Sequence, residues 1–200
     1  MKSKWLVPGI IVAVIVLLVA TMAGTYNSLV GDREKVRSAF SNVQTQYQRR
    51  LDLVDNLVNT VKGSANFEQQ TLQNVTDARA KVGSIKIDAN TSQAQLQQYA
   101  DAQNQMTGAL SRLIAVSENY PDLKTTAAFQ DLMSQLEGTE NRVQVARSDY
   151  NEAARPYNAR IQTFPTVVFA RLFNFQSFAY FEASSGAQTA PTVDFGAPKQ

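Results

Sequence analysis

Glu140 is the carboxylate of this chain best placed for chemistry. It falls on a row of residues seven apart, Met133, Glu140, Arg147, Ala154 and Ile161, beside a second row that holds Tyr150 and Tyr157. On a helix a spacing of seven keeps side chains on nearly one face, and a carboxylate beside phenols could move a proton. The same reasoning puts Arg50 and Arg79 on otherwise apolar stripes of two earlier helices. A charge on a buried stripe is costly unless it is paired. Arg50, Arg79, Glu140 and Arg147 are therefore expected to meet as a polar network that fixes helix register, and removing one member of a fully buried pair would cost about 3–5 kcal/mol. This structural role outweighs a catalytic one. Arginine is not a base, Glu137 lies on the flank, and no histidine exists to complete the Glu-x-x-His pairs of a di-metal bundle.

Composition narrows the chemistry further. The 200 residues include no cysteine and no histidine, which excludes disulfides, thiolate nucleophiles, Cys/His zinc sites and Ser-His or Cys-His pairs. Asp88-Ala89-Asn90 is too short for a calcium loop, and no glycine-rich phosphate cradle is present. No cofactor is expected. Lys and Arg number 19 against 17 Asp and Glu, a formal charge of +2 with no block of like charge, so nucleic acid is not an expected partner.

These groups must be positioned by helices, and the first begins in a membrane. After the basic lead of residues 1–4, residues 5–24 are uncharged, the length that crosses a bilayer core of ~30 Å as a helix. A retained single-pass anchor is expected rather than a cleaved signal peptide, whose apolar core is shorter. Lys2 and Lys4 stand closer to the span than Arg33, Lys35 and Arg37, which favours a cytoplasmic N-terminus and an exported remainder.

Beyond the span, Val36, Phe40, Val43, Tyr47, Val54, Leu57 and Val61 alternate in spacings of four and three, with Arg50 in the one polar seat. That is a heptad-like stripe on a helix ending at Gly63, which no proline separates from the anchor. A weaker pattern, Leu72, Val75, Arg79 and Val82, ends at Gly83. Ser92 and Gln95 can form a capping box at the start of a third helix with Leu96, Tyr99, Met106, Leu110, Leu113 and Tyr120, seating Gln103 and Ser117 on its seam. Pro121 ends it. In the fourth, Phe129, Leu136, Val143, Tyr150, Tyr157 and Phe164 recur every seven residues, and Pro156 should kink or break it. The expected fold is all-α: an N-terminal transmembrane helix and an antiparallel up-and-down four-helix bundle over residues 25–164.

Residues 165–182 carry Phe169, Phe173, Phe175, Phe178, Tyr180 and Phe181. Packing back on the bundle is the first expectation and an interaction patch the second. Residues 183–200 have the composition of a disordered tail. The dipeptide Tyr-Asn recurs at Tyr26-Asn27, Tyr150-Asn151 and Tyr157-Asn158.

Taken together, these residues resemble the LemA family of bacterial membrane-anchored proteins. The likeness is carried by Tyr26-Asn27, Gln48-Arg49-Arg50, Asp52-Leu53, Asn56-Leu57-Val58 and Tyr120-Pro121-Asp122-Leu123-Lys124, then Thr139-Glu140, Ala146-Arg147, Tyr150-Asn151, Tyr157-Asn158, Phe164-Pro165 and Tyr180-Phe181-Glu182, with Pro191, Val193 and Phe195 in the tail. Asp55, Phe40, Phe67 and Val167 depart from the family pattern, where Pro, Trp, His and Asn are usual. The resemblance implies a four-helix up-and-down bundle on one membrane helix and carries over no catalytic residue.

The leading functional expectation is a non-enzymatic, membrane-anchored scaffold or adaptor of the bacterial envelope. It would contact the lipid bilayer and associate with protein partners or itself. A sensor or lipid-binding bundle that uses the aromatic segment is the alternative, and an enzyme using Glu140 with Tyr150 or Tyr157 comes last.

Overall fold

The computed structural model describes residues 6–64 and 67–182. Lys2, Lys4, Trp5 and the tail from residue 183 lie outside the described residues. Among the described residues there are six helices and no strand.

Helix α1 spans Leu6–Lys62 as one uninterrupted element of 57 residues, about 85 Å at 1.5 Å per residue. Pro8 sits in its first turn, where a missing amide strands no partner. Gly31 does not break it. The anchor and the first wall of the bundle are thus one rod. The apolar residues of the span are exposed to their surroundings from Val7 to Val19, whereas Leu29, Val36, Phe40, Val43, Tyr47, Val54, Leu57 and Val61 are buried, with Arg50 buried among them.

Helix α2 (Gln69–Ser84) returns, α3 (Gln93–Ser117) runs out again, and α5 (Ala127–Gln162) comes back after the single turn α4 (Pro121–Lys124). The Ser92–Gln95 capping box forms at the start of α3. Cross-helix contacts set the directions. Along α1 the partners on α5 run backwards, Asp32 with Arg160, Phe40 with Tyr150 and Arg50 with Glu140, so these two long helices are antiparallel. The partners on α3 run forwards, Tyr47 with Tyr99 and Arg50 with Gln103. This is the up-and-down order of a four-helix bundle.

Two features of the last long helix differ from expectation. The break expected at Pro156 does not occur, α5 continuing as one helix through it. Pro156 and Glu152 both face solvent, so the carbonyl that loses its intrahelical donor can be hydrated instead. Phe164, read from its spacing as a buried stripe residue, is exposed. The helix ends at Gln162, and Pro165 disfavours helical backbone at the residue before it.

Helices α2 and α3 cover only the half of α1 and α5 that is remote from the apolar span. The other half is covered by the C-terminal part of the chain. A short helix α6 (Thr166–Leu172) turns beside α1, and residues 173–182 then run as an extended strap along α1 and α5. Phe175, Phe178 and Phe181 of the strap are buried and complete the core.

Candidate functional site

The polar centre of the bundle is Arg50. Its side chain is only 6% exposed although it stands on the apolar stripe of α1. Two helices, α3 and α5, supply its three partners. It donates from Nη1 to Gln103 Oε1 at 3.0 Å and from Nη2 to Thr107 Oγ1 at 2.7 Å, and Nη2 lies 2.7 Å from Glu140 Oε2. Gln103 passes the network on, donating from Nε2 to Tyr99 Oη at 3.0 Å. Tyr99 meets Tyr47 edge to face at 5.0 Å. Burial holds both phenols protonated by pushing their pKa values up. An arginine always carries its charge, so this site is a fixed cation with a carboxylate at its mouth. Glu140 is not buried to the same degree, its side chain being 41% exposed.

Beside this cluster α3 and α5 part slightly. A groove of about 440 Å³ opens there, lined by Leu110, Ile114, Met133 and Leu136 together with Arg50, Glu140, a second carboxylate, Glu137, and the hydroxyls of Thr107, Ser111 and Ser134. The slot is thus amphipathic, apolar side chains alternating with polar and charged ones.

The four charged residues expected to form one network form three arrangements instead. Arg50 and Glu140 meet. Arg79 pairs with Asp55 at 2.6 Å, joining α2 to α1 on a half-exposed flank, because α2 packs against the outer side of α1 rather than facing α5. Arg147 turns to the strap, donating to the Glu182 carbonyl at 2.8 Å and covering the Phe181 ring at 5.1 Å. The phenols considered with Glu140 are engaged elsewhere. Tyr150 Oη donates to the Ala179 carbonyl at 2.8 Å, while the buried Tyr157 hydroxyl has no hydrogen-bond partner among the described residues. Among the described residues no three Asp or Glu side chains converge as metal ligands would.

The strap is held by residues that charge patterning does not reveal. Asn158 donates from Nδ2 to the Phe178 carbonyl and accepts from the Phe178 amide, each at 2.8 Å. Asn151 does the same for Phe181, at 2.8 and 3.0 Å. Gln93, in the first turn of α3, does it for Tyr180, at 3.1 Å both ways. Cations cap the aromatic rings on both sides, Arg33 over Phe175 at 5.2 Å and Arg147 over Phe181. The signal for this arrangement was the recurrent Tyr-Asn pair. The aromatic residues therefore divide: Phe175, Phe178 and Phe181 are core, Tyr180 and Phe169 are half-buried, and Phe173 is exposed beside Tyr26.

At the end of the bundle nearest the apolar span, Arg160 of α5 donates to Ser28 Oγ at 2.6 Å and to Asp32 Oδ2 at 2.9 Å. Burial acts to raise the Asp32 pKa, but the hydrogen bonds from Lys35 and Arg160 outweigh it and hold the carboxyl below its usual range.

Comparison with known proteins places this architecture. The family model described as the LemA family matches residues 39–195, from the second half of α1 through the strap into the tail. The protein LemA of Metamycoplasma hominis is 29% identical over 161 residues, covering 80% of this chain and 70% of that protein. The magnetosome protein MamQ 2 of Paramagnetospirillum magneticum is 27% identical over 197 residues, covering 88% of this chain and 71% of that protein. The magnetosome protein MamQ of Magnetospirillum gryphiswaldense is 25% identical over the same length and share. With the matched span running through the strap-bearing bundle, the chain belongs to the LemA family.

Proposed function

We propose that the protein is a membrane-anchored, non-enzymatic scaffold of the bacterial envelope, with its bundle on the exported side. The observation that carries this reading is the continuity of α1. A single helix holds both the apolar span and the first wall of the bundle, so the bundle would stand on the bilayer as a rigid post rather than hang from a linker. A post of fixed height and orientation suits presentation of a surface to partners. The polar groups of the interior support the same reading: Arg50, Asn151 and Asn158 spend their hydrogen bonds on joining elements to one another. Two relatives are named as magnetosome proteins, and a role in organising a membrane-bound assembly is consistent with those names.

Site-specific photocrosslinking from exposed positions of the bundle, in membranes of cells expressing the full chain, tests this. The expected result is a discrete crosslinked partner or oligomer from a chain that resists alkaline extraction. A chain that resists extraction but stays monomeric and uncrosslinked from every face would overturn the scaffold. Reporter fusions at the C-terminus read the side of the membrane.

The groove between α3 and α5 favours a second reading, a bundle that binds a lipid chain against Leu110, Ile114, Met133 and Leu136. Saturable lipid binding that is lost when Met133→Trp fills the groove would favour it over the scaffold.

A further inference from the structure

We propose that Phe164, Val168 and Leu172 seat in the headgroup layer of the bilayer, making α6 and the turn before it a second membrane contact beside the α1 span. This inference rests on the reading that α1 crosses the membrane. The three side chains are 79%, 55% and 67% exposed, an unusual state for large apolar residues in one short segment. Val168 and Leu172, four apart, share one face of α6, while Ala170 on the other side is buried against the protein.

The depth of α6 argues for lipid as the occupant. Phe173 meets Tyr26 edge to face at 5.0 Å and lines one groove with Val19, Met22 and Ala23. Those three residues belong to the last turns of the apolar span, residues 5–24. Val19 and Tyr26 are seven residues apart, about 10 Å along the helix, and the headgroup layer is only about 5–8 Å thick on each side of the hydrocarbon. A bilayer edge near Gly24 thus brings α6 to headgroup level.

Charge agrees. From residue 5 to residue 31 the α1 side of this region carries no charged side chain, and from Ile161 to Ala170 neither does the other side. Two uncharged stretches, far apart in sequence, are gathered at one height. The first charges above them, Asp32 and Arg160, pair with one another. Arg171 at the end of α6 is exposed and supplies a cation suited to anionic headgroups. Two contact points would set the tilt of the post, because one helix alone leaves its tilt free.

The chain has no cysteine of its own, so single labels are unambiguous. The full chain is reconstituted in vesicles of phosphatidylcholine and phosphatidylglycerol that carry nitroxide lipids, with a fluorophore on Val168→Cys, Leu172→Cys, Ile15→Cys or Val145→Cys. The Ile15 site reports the span, and the Val145 site is an exposed apolar position in the middle of α5. The expected result is strong quenching at 168 and 172 by shallow nitroxides, at 15 by deep ones, and none at 145. Labels at 168 and 172 as bright as at 145, with 15 quenched, would overturn the second contact and leave the anchor standing. An unquenched label at 15 would overturn the anchor and this inference with it. A disulfide between two Leu172→Cys chains without quenching would assign the patch to a second copy and also overturn it.

Discussion

Asn158 holds the backbone of Phe178 at both ends, giving one hydrogen bond to its carbonyl and taking one from its amide. Asn151 repeats the device on Phe181. The spacing of the two follows from elementary geometry. Seven residues of helix advance about 10.5 Å, and three residues of extended chain advance about 10 Å. A Tyr-Asn pair every two turns of α5 therefore matches every third residue of the strap. In effect the asparagines supply the hydrogen bonds that an adjacent strand would supply in a sheet, and they let an extended segment lie against a helix with its polar groups satisfied.

The pairing should carry measurable energy. Asn158→Ala strands a buried donor and a buried acceptor on Phe178, at about 1–3 kcal/mol for each group left unpaired. Denaturant unfolding of the full chain in detergent should show this loss, and hydrogen exchange at the Phe178 amide should accelerate relative to amides in α3. Unchanged stability with unchanged exchange would mean that aromatic burial alone holds the strap.

Two tyrosines on the same stripe should behave oppositely. Tyr150 donates to Ala179, whereas the buried Tyr157 hydroxyl donates to no group among the described residues. Tyr150→Phe is expected to cost about 0.5–1.5 kcal/mol, and Tyr157→Phe to be neutral or stabilising because it removes an unsatisfied polar group. Equal losses for both would imply a hydrogen bond at Tyr157 that the geometry does not contain.

The stripe from Val36 to Val61 was legible because apolar residues recurred at helical spacing and the buried set follows it almost residue for residue. The Ser92 cap was legible because capping depends on two residues three apart. Arg50 could be assigned to the interior, and a partner on α5 inferred, since a buried cation needs one. Its other contacts, Gln103 and Thr107, depend on the rotation of α3, which periodicity does not specify. Arg79 and Arg147 were misassigned for the same reason: a row on a helix names a face but not the neighbour opposite. The strap lacked any periodic signal, because an extended segment held by side-chain amides follows neither the helical nor the strand repeat.

Alkali should loosen the half of the bundle that the strap covers. Burial raises the pKa of Tyr150, and its proton makes the bond to Ala179. A folded-state pKa above the unfolded value gives stability that is intact below about pH 10, the ordinary tyrosine value, and is lost as the pH rises from there through the folded value. Ultraviolet titration should find tyrosines that ionise only as the protein unfolds, and the Tyr150→Phe protein should lose less stability across that range. An alkaline transition unaltered by this substitution would place the controlling group elsewhere.

Arg50 and Glu140 should not be equivalent, although they face each other at 2.7 Å. Arg50→Ala leaves Gln103, Thr107 and Glu140 without their cation and opens a cavity in the core, so a loss of about 3–5 kcal/mol is expected. Glu140→Ala removes a carboxylate that is 41% exposed. Arg50 then keeps two of its three partners, and water entering the groove between α3 and α5 can replace the third. The expected loss is about 1–3 kcal/mol, below the figure for a fully buried pair. In the double variant the two losses should not add, since each single change already breaks the same contact. Chemical unfolding of the two single variants and the double variant measures the coupling. Strict additivity, or a Glu140→Ala loss below 1 kcal/mol, would show that the ion pair contributes little and that the amide and hydroxyl of α3 alone hold the arginine.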